Sequence, residues 1–336
     1  MPEQTIRIGY IGAGRFSRNV ILPALQQLPG VELVTVANSS AETSATAAQQ
    51  FRFARTATDW REVVEASDVD AIVLGTRTDS HAGVVEAILD AGKHLLMMNA
   101  IARTAEEAER MVDASSAHPQ QVALVYPAVA GPFYVKEDAA MRAILESGTV
   151  GEVLHIRTTW QTPFFGLGTM FEPTYRWFGD HVRVLGYRKQ YAAPASAGPG
   201  GREVRPLLNL AIVELRSGAT ITYEHSTIAS GTAQARFEVH GTEGTLLAYA
   251  GGQEVSGFFL APKDGGPLQP IALPVGLEES LTSTLPIEAE FIAAVRGERP
   301  AAAAIPRFVE GLRMLQFTEA WSASRDAAAW RDLPDA

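Results

Sequence analysis

Residues 12–17 have the composition of a loop that binds the pyrophosphate of a dinucleotide. They read Gly-Ala-Gly-Arg-Phe-Ser, which is the G-x-G-x-x-G pattern with Ser17 at its third position. Gly12 permits a tight turn, Gly14 lets the backbone approach a phosphate, and a small third residue lets a helix pack closely on a strand. The following helix would offer amide donors to the anion. We therefore predict a dinucleotide site, the alternative being a tight turn without a ligand.

The residues Asn38, Ser39 and Ser40 follow the second predicted strand. NAD-dependent proteins usually have an acid there, which binds the ribose 2′-hydroxyl. Amide and hydroxyl groups could instead bind a 2′-phosphate, with Arg15 as the nearby cation. The alternative for Arg15 is a solvated residue at a helix start. The predicted cofactor is therefore NADP or NAD, with NADP slightly preferred.

Strands and helices alternate through the first part of the chain and would position these loops. Buried strands are predicted at 5–12, 31–37, 69–76, 95–98 and 121–129, with helical patterns between them. This order is typical of a doubly wound parallel sheet, so residues 1–124 are predicted to form an α/β Rossmann domain. Ligands of such a domain bind at the carboxyl ends of its strands.

The pattern changes in residues 125–336. Long alternating strands with few helices predict an α+β domain built on an open, mostly antiparallel sheet. Two helices, at 286–297 and 306–324, are predicted to end this second domain.

The composition excludes several kinds of site. The 336 residues include no cysteine, which excludes disulfides, thiolate metal sites and cysteine nucleophiles, and no carboxylate–histidine cluster has metal-ligand spacing. The net charge of -10 argues against wholesale nucleic-acid binding. No apolar run approaches the ~20 residues of a membrane span, and MPEQTIRIGY has no signal-peptide pattern. We expect a cytoplasmic protein with a small-molecule substrate, without nucleic acid or membrane as a partner.

The order of these motifs resembles the Gfo/Idh/MocA family of NAD(P)-dependent oxidoreductases over essentially the full chain. IGYIGAGRFS is similar to the family's nucleotide loop, and VDAIVLGTRTDSHAGVVEAILDAGKH is similar to a segment that usually has proline at the position of Arg77. GTVGEV, RFEVHGTEGTL and the C-terminal helices match later family segments. The resemblance implies hydride chemistry and a homo-oligomer formed through the exposed face of the C-terminal sheet.

Two family signatures are missing at their expected places. The Glu-Lys-Pro that usually follows the fifth strand is Met98-Asn99-Ala100 here. The family lysine assists proton transfer, whereas Asn99 can only orient a hydroxyl or a carboxamide. Alanine in place of proline predicts a trans peptide at that point. Met98 could line an apolar pocket or pack in the core. We expect Met97 to pack in the core.

The family's Asp-x-x-x-His is also absent, because alignment places Gly166 and Met170 near those positions. The candidate catalytic residues are therefore Asn99, which could orient a group, and Tyr126, Tyr175 and His181, which could replace the missing acid or base. A cation such as Arg176 would lower the pKa of a neighbouring phenol, although Tyr175 could equally be on a helix face that packs on Trp177.

The predicted cofactor contacts extend beyond the glycine loop. By family analogy His81 holds its loop in place, with catalysis as the alternative. The residues predicted to bind the cofactor are Gly12, Gly14, Arg15, Phe16, Ser17, Asn38, Ser39, Ser40, Thr76, Arg77, His81 and Met98.

Three functions fit these observations. The first is an NAD(P)-dependent oxidoreductase that acts on a small carbonyl, alcohol or imine with non-standard acid/base residues, and the sequence favours it. The second is a catalytically degenerate dinucleotide-binding regulatory protein. The third is an enzyme with no net redox change on the same fold, which needs an acid/base more than simple reduction does.

Overall fold

The structure is a computed structural model. It describes residues 4–127, 136–161, 168–192, 195–197, 203–228, 234–250, 257–271, 287–301 and 305–334. The chain divides into two compact units. The first unit comprises Met1–Ala128 and Thr284–Leu315, and the second comprises Val129–Ser283 and Gln316–Ala336.

The first unit contains a parallel sheet of six strands. They are β1 Ile6–Ile11, β2 Val31–Ala37, β3 Arg55–Ala57, β4 Ala71–Leu74, β5 His94–Met98 and β6 Ala123–Tyr126. Their order is β3-β2-β1-β4-β5-β6, and all the pairs are parallel. The order reverses at β1, so the crevice that such sheets use for ligands lies at the carboxyl ends of β1 and β4. The predicted Rossmann fold is confirmed.

Helices cover both faces of this sheet. After a π-helical turn at Ser17–Ile21, they are α1 Leu22–Gln27, α2 Ala41–Phe51, α3 Trp60–Glu65, α4 His81–Asp90, α5 Ala105–Ala117 and α8 Ile287–Val295. The central strands are mainly apolar because they are covered on both faces; the four residues of β4, for example, are all buried.

The helix α8 corrects the predicted domain assignment. The sequence placed helix 286–297 in the second domain, whereas α8 belongs to the first unit. Its residues Phe291 and Ile292 are buried in the same cluster as Ile6, Ile8 and Leu22. The apolar face of α8 therefore completes the core on one side of the parallel sheet.

The second unit is built on a mixed sheet. Its strands are β7 Val153–Gln161, β8 His181–Gln190, β11 Leu207–Leu215, β12 Thr220–Ser226, β13 Gln234–Gly241, β14 Gly244–Ala250, β15 Gly257–Pro262, β16 Gln269–Pro270 and β17 Arg331–Asp332. Their order is β16-β15-β14-β13-β7-β12-β11-β8-β17. β7 and β12 run parallel, and the other pairs formed by the described strands are antiparallel. This confirms the predicted open, mostly antiparallel sheet.

The remaining elements of the second unit are short strands and helices. A small ribbon pairs β9 Ser196–Ala197 with β10 Glu203–Val204. The helices are α6 Lys136–Glu146, α7 Gly168–Phe178 and the later part of α9 Phe308–Ala327. No helix in the described ranges combines the length and the apolar character that crossing a bilayer requires.

Candidate nucleotide site

The two glycines of the loop differ in role: the fold requires Gly12 for the turn, whereas Gly14 has open space beside it. Gly12 follows β1 with a φ of +84°, and a Cβ there would approach the backbone nitrogen of Thr76 to 2.6 Å. A Cβ on Gly14 would meet no protein atom within 4 Å. Gly12 is therefore needed for the turn, while the space beside Gly14 is free for a ligand.

The buried Ser17 joins the loop to the end of β4. A Cβ on Gly75 would lie 2.7 Å from the carbonyl oxygen of Gly12 and 3.0 Å from Ser17 Oγ. Small residues at all three positions thus allow the loop, the helix start and β4 to pack closely. By contrast Arg15 is exposed, and 42% of the Phe16 surface is exposed.

The side chain of Asn38 braces the loop. Its Oδ1 accepts a hydrogen bond from the Ala13 N–H at 2.7 Å, and its Nδ2 donates to the carbonyl of Thr43 at 2.9 Å. Ser40 is the N-cap of α2 and accepts from the Thr43 N–H at 3.2 Å. Both residues were predicted to bind the cofactor, and both already have partners within the protein. Of the three residues after β2, Ser39 is exposed and lines the adjacent cavity.

Sequence reasoning missed Arg18, which braces the loop from its other side. Its Nε donates to the Ala13 carbonyl at 3.0 Å, and its Nη2 donates to the Thr43 carbonyl at 3.2 Å. Asn38 and Arg18 together fix the peptide groups on both sides of Ala13. The available signal was a long basic side chain one turn after the glycines.

A cavity of about 540 Å³ lies at the carboxyl ends of β1, β2 and β4. This volume is within the range of small-molecule sites. Residues from several loops line it: Asn38, Ser39, Thr58, Asp59, Trp60, Thr76, Arg77 and Asp79. Four of the predicted cofactor contacts, Asn38, Ser39, Thr76 and Arg77, therefore meet at one cavity. Arg77 is highly exposed there and pairs with Asp79 at 3.2 Å.

The imidazole of His81 ties two loops together. It is 1% exposed, with Nδ1 2.9 Å from the Ile101 carbonyl oxygen and Nε2 3.0 Å from the Thr76 carbonyl oxygen. Both ring nitrogens are thus occupied by backbone groups of the loops after β4 and β5. This geometry supports the structural interpretation of His81 over the catalytic one.

The end of β5 is apolar apart from Asn99. Met97 is fully buried, as expected, and Met98 is partly buried against the core. The peptide between Asn99 and Ala100 is cis, so the expectation of a trans peptide was wrong. That expectation came from residue type alone, which does not fix the geometry of an individual peptide. Asn99 Oδ1 is buried and has no hydrogen-bond partner among the described residues, which leaves an acceptor for a bound donor.

The phenol of Tyr126 points to a carboxyl group that the sequence analysis did not select. Tyr126 is 3% exposed, and its hydroxyl donates to Glu288 on α8. Burial and the nearby carboxyl raise the pKa of Tyr126 above its usual value. The ring packs edge-on against Phe16 with centroids 5.7 Å apart. Two acids inside an otherwise apolar helix, IEAEFIAAV, were the signal for Glu288.

In the second unit, His181 belongs to a buried hydrogen-bond chain. Its Nε2 lies 2.7 Å from the hydroxyl of Tyr223, and its Nδ1 lies 3.0 Å from the Gly179 carbonyl oxygen. The Tyr223 hydroxyl also contacts Thr174 Oγ1 at 2.5 Å. Burial lowers the pKa of His181 to about 4, so the ring is neutral at physiological pH and both its nitrogens have partners.

The residues around Tyr175 form a packed helix face. The Tyr175 ring stacks on Phe171 at 5.7 Å and lies 6.0 Å from the ring of His181. The neighbouring Arg176 is bound by Glu172 and by Asp138, whose Oδ1 accepts from Arg176 Nε at 3.0 Å. The charge of Arg176 is therefore balanced by two buried carboxylates, which supports the structural alternative for this segment.

The sequence of the first unit matches a known family. Residues 6–126 match the family model GFO_IDH_MocA, described as an oxidoreductase family with an NAD-binding Rossmann fold. The chain is also similar to the 1,5-anhydro-D-fructose reductase of Ensifer adhaerens. The two are 28% identical over 257 residues, which are 72% of this chain and 75% of that protein. These matches confirm the family resemblance that the motifs indicated.

Solved structures share the fold over almost the whole chain. A levoglucosan dehydrogenase in its apo form has a TM-score of 0.77 at 20% identity and covers 99% of this chain and 100% of that one. The myo-inositol dehydrogenase of Lactobacillus casei, solved in complex with NAD(H) and myo-inositol, has a TM-score of 0.78 at 19% identity. It covers 99% of this chain and 98% of that one. At such identities the likeness establishes the fold alone.

Proposed function

We propose that this chain, whose residues 6–126 match the Gfo/Idh/MocA family of NAD-binding oxidoreductases, transfers hydride between a nicotinamide cofactor and a small carbonyl, alcohol or imine. The observation that carries the proposal is the glycine loop, which is braced on both sides and open beside Gly14. The names of the relatives favour a carbohydrate-derived substrate.

The residues of the first unit suit a dinucleotide. The loop amides and the helix start at Ser17 would hold the pyrophosphate, and the cavity lined by Ser39 and Trp60 would hold the adenosine. The free Oδ1 of Asn99 would accept a hydrogen bond from the nicotinamide carboxamide. The cofactor, when bound, supplies the hydride chemistry.

The proton needs a different source from the family lysine. Asn99 does not titrate near neutral pH, and both Tyr126 and His181 have their polar atoms engaged within the protein. Tyr175 remains the acid that the sequence suggests. We propose that bound water or the substrate itself exchanges the proton with solvent, and that Asn99 orients the reacting group.

The test is a titration followed by a turnover assay. We expect NADH or NADPH to bind with a Kd in the micromolar range or tighter, as measured by calorimetry on nucleotide-free protein. We then expect stoichiometric loss of reduced cofactor absorbance with at least one compound from a panel of anhydrosugars, ketoses, aldehydes and imines.

Two outcomes would favour the other functions. Nucleotide binding without turnover across the panel would support a regulatory protein, for which the loss of the family lysine at Asn99 is the supporting observation. Substrate conversion at catalytic nucleotide, without a net absorbance change, would support the enzyme with no net redox change. Lack of nucleotide binding by folded protein would exclude all three.

The cofactor preference is a separate prediction. We expect NADPH to bind somewhat more tightly than NADH, because Ser39 and the exposed Arg77 line the same cavity and no acid follows β2 directly. Replacing the cation that binds the 2′-phosphate should weaken NADPH binding several-fold and leave NADH binding unchanged. Calorimetry on Arg77→Ala and Arg15→Ala would identify that cation. Tighter NADH binding, unaffected by either change, would contradict the preference.

A homo-oligomer through the outer face of the second sheet is proposed as well. Tyr187 on β8 is 50% exposed and Ile212 on β11 is 44% exposed, and both strands pair directly. We expect light scattering to give a mass of at least twice 36.1 kDa. Ile212→Asp should reduce it to one chain, whereas Val309→Asp, at an exposed apolar residue of the first unit, should not. A single-chain mass for the unaltered protein would contradict this proposal. The cytoplasmic location stays a prediction.

A further inference from the structure

A buried polar cluster lies under the glycine loop. It consists of Tyr10 on β1, Ser17 at the helix start, Tyr126 on β6 and Glu288 on α8, which are 0%, 3%, 3% and 1% exposed. Buried polar side chains are costly unless they are fully paired. Ser17 belongs to the glycine loop, but neither the loop motif nor the hydride chemistry requires the other three residues, so their burial calls for an explanation of its own.

The carboxyl group of Glu288 is only partly paired. It accepts a hydrogen bond from the Tyr126 hydroxyl, while its Oε1 has no partner among the described residues. The titratable groups that face it are the phenols of Tyr10 and Tyr126, and burial raises the pKa of both, so both stay neutral. No cation in the described part of the chain lies against it.

The next carboxyl on the same helix shows the contrast. Glu290 is 3% exposed, nearly as buried as Glu288, but its carboxylate lies 2.5 Å from the guanidinium of Arg299. A buried carboxyl group without a neighbouring cation favours the protonated form. Burial accordingly raises the pKa of Glu288 to about 7, against the opposing effect of the Tyr126 hydrogen bond.

Glu288 is connected to the loop by two contacts. The Tyr126 ring that it holds packs against Phe16 with centroids 5.7 Å apart. The Tyr10 phenol lies close enough to both Ser17 and Glu288 for each of them to influence its pKa. The loop would bind a pyrophosphate dianion, and a negative charge buried beneath it would repel that anion with little screening by solvent.

We propose that dinucleotide binding at the glycine loop is linked to protonation of Glu288, so that the protein takes up a proton from solvent when the nucleotide binds. The inference rests on the proposed nucleotide function. Linkage is reciprocal: the bound anion favours neutral Glu288, and neutral Glu288 favours the bound anion. Glu288 is thus a positioning residue that acts on the loop through charge and through Tyr126.

The expected size follows from one buried charge near the anion. At an effective dielectric constant of about 20, such a charge changes affinity by roughly tenfold. The Kd for NADH should then rise roughly five- to tenfold between about pH 6 and about pH 8.5, with an uptake of about half a proton near pH 7.5. NADH is the appropriate probe because the 2′-phosphate of NADPH titrates in the same range.

Calorimetric titration of the full chain with NADH, in buffers of different ionisation enthalpy, measures both quantities. Glu288→Gln should bind NADH with the low-pH affinity at every pH and take up no proton. Glu290→Gln, the matched control, should keep the uptake of the unaltered protein. Tyr126→Phe removes the hydrogen bond that favours ionised Glu288. The affinity of this variant for NADH should therefore fall at a higher pH than that of the unaltered protein.

The results separate this inference from the proposed function. NADH binding with the same pH dependence and proton uptake in Glu288→Gln would overturn the linkage, and so would binding without any uptake by the unaltered protein. Either outcome leaves the nucleotide function in place. If folded protein fails to bind NADH at any pH, the proposed function fails and the linkage fails with it.

Discussion

Replacing Gly14 with alanine is expected to weaken NADH binding by roughly 100-fold while leaving the folded protein unchanged. The added methyl group meets no protein atom within 4 Å and the backbone needs no positive φ there. It would instead occupy the space where the loop backbone approaches the pyrophosphate. Overlap of this kind costs about 3 kcal/mol, which corresponds to a factor of roughly 100. Calorimetric titration and a thermal melt of Gly14→Ala measure the two effects.

Gly12→Ala is the matched control, because it should affect the protein itself. Gly12 has a φ of +84°, and a Cβ would come within 2.6 Å of the Thr76 nitrogen. A left-handed conformation costs a non-glycine residue about 1–2 kcal/mol, and the close contact adds to that cost. We expect a lower melting temperature for Gly12→Ala only. Normal NADH affinity in Gly14→Ala would show that the loop does not bind the pyrophosphate.

Glu288→Gln is expected to stabilise the protein in a pH-dependent way. Burial raises the pKa of Glu288 in the folded protein from 4.5 to about 7. Between these values the folded state binds more protons than the unfolded state, so the contribution of Glu288 to stability is present at low pH and lost as the pH rises through about 7. The difference is about 3 kcal/mol. The glutamine variant should gain this amount over the unaltered protein at about pH 8 and nothing at about pH 4.

Chemical unfolding of both proteins across this pH range gives the difference in the free energy of unfolding. His181 acts in the opposite direction: burial lowers its folded pKa to about 4, so its contribution is present at high pH and lost as the pH falls. It is common to both proteins and cancels in the difference. Glu290→Gln should destabilise across the range, because it leaves Arg299 without its partner. A pH-independent difference for Glu288→Gln would mean that Glu288 keeps an ordinary pKa.

The family resemblance of the first unit, the two kinds of sheet and the glycine loop could be predicted from the sequence, because each is encoded locally. Fully apolar strands such as β4 require cover on both faces. Gly12 and Gly14 stand immediately after a strand and before a helix, which is the context that gives the pattern its meaning. These properties depend on neighbouring residues, so they can be predicted without knowledge of long-range contacts.

The tertiary structure decided which polar groups are available. The sequence predicted that Asn38, Tyr126 and His181 contact a ligand, but each has a partner inside the protein. Asn38 binds the amide of Ala13, Tyr126 binds Glu288, and His181 binds Tyr223. Each of those partners lies at least 25 residues away in the chain. Periodicity gives the burial of a side chain but not the identity of the atom that it meets.

The same reason explains why the sequence placed the helix α8 in the second domain, although it belongs to the first unit. Its apolar composition predicted a buried helix, but the choice of core depends on which sheet leaves an apolar face uncovered, and α8 packs with Ile6 and Leu22 of the first unit. That choice carries Glu288 to the glycine loop. The sequence by itself determined a dinucleotide-binding fold, whereas the return of a distant helix decided which acid lies beneath its loop, because side-chain partners are set by packing between elements that no local pattern relates.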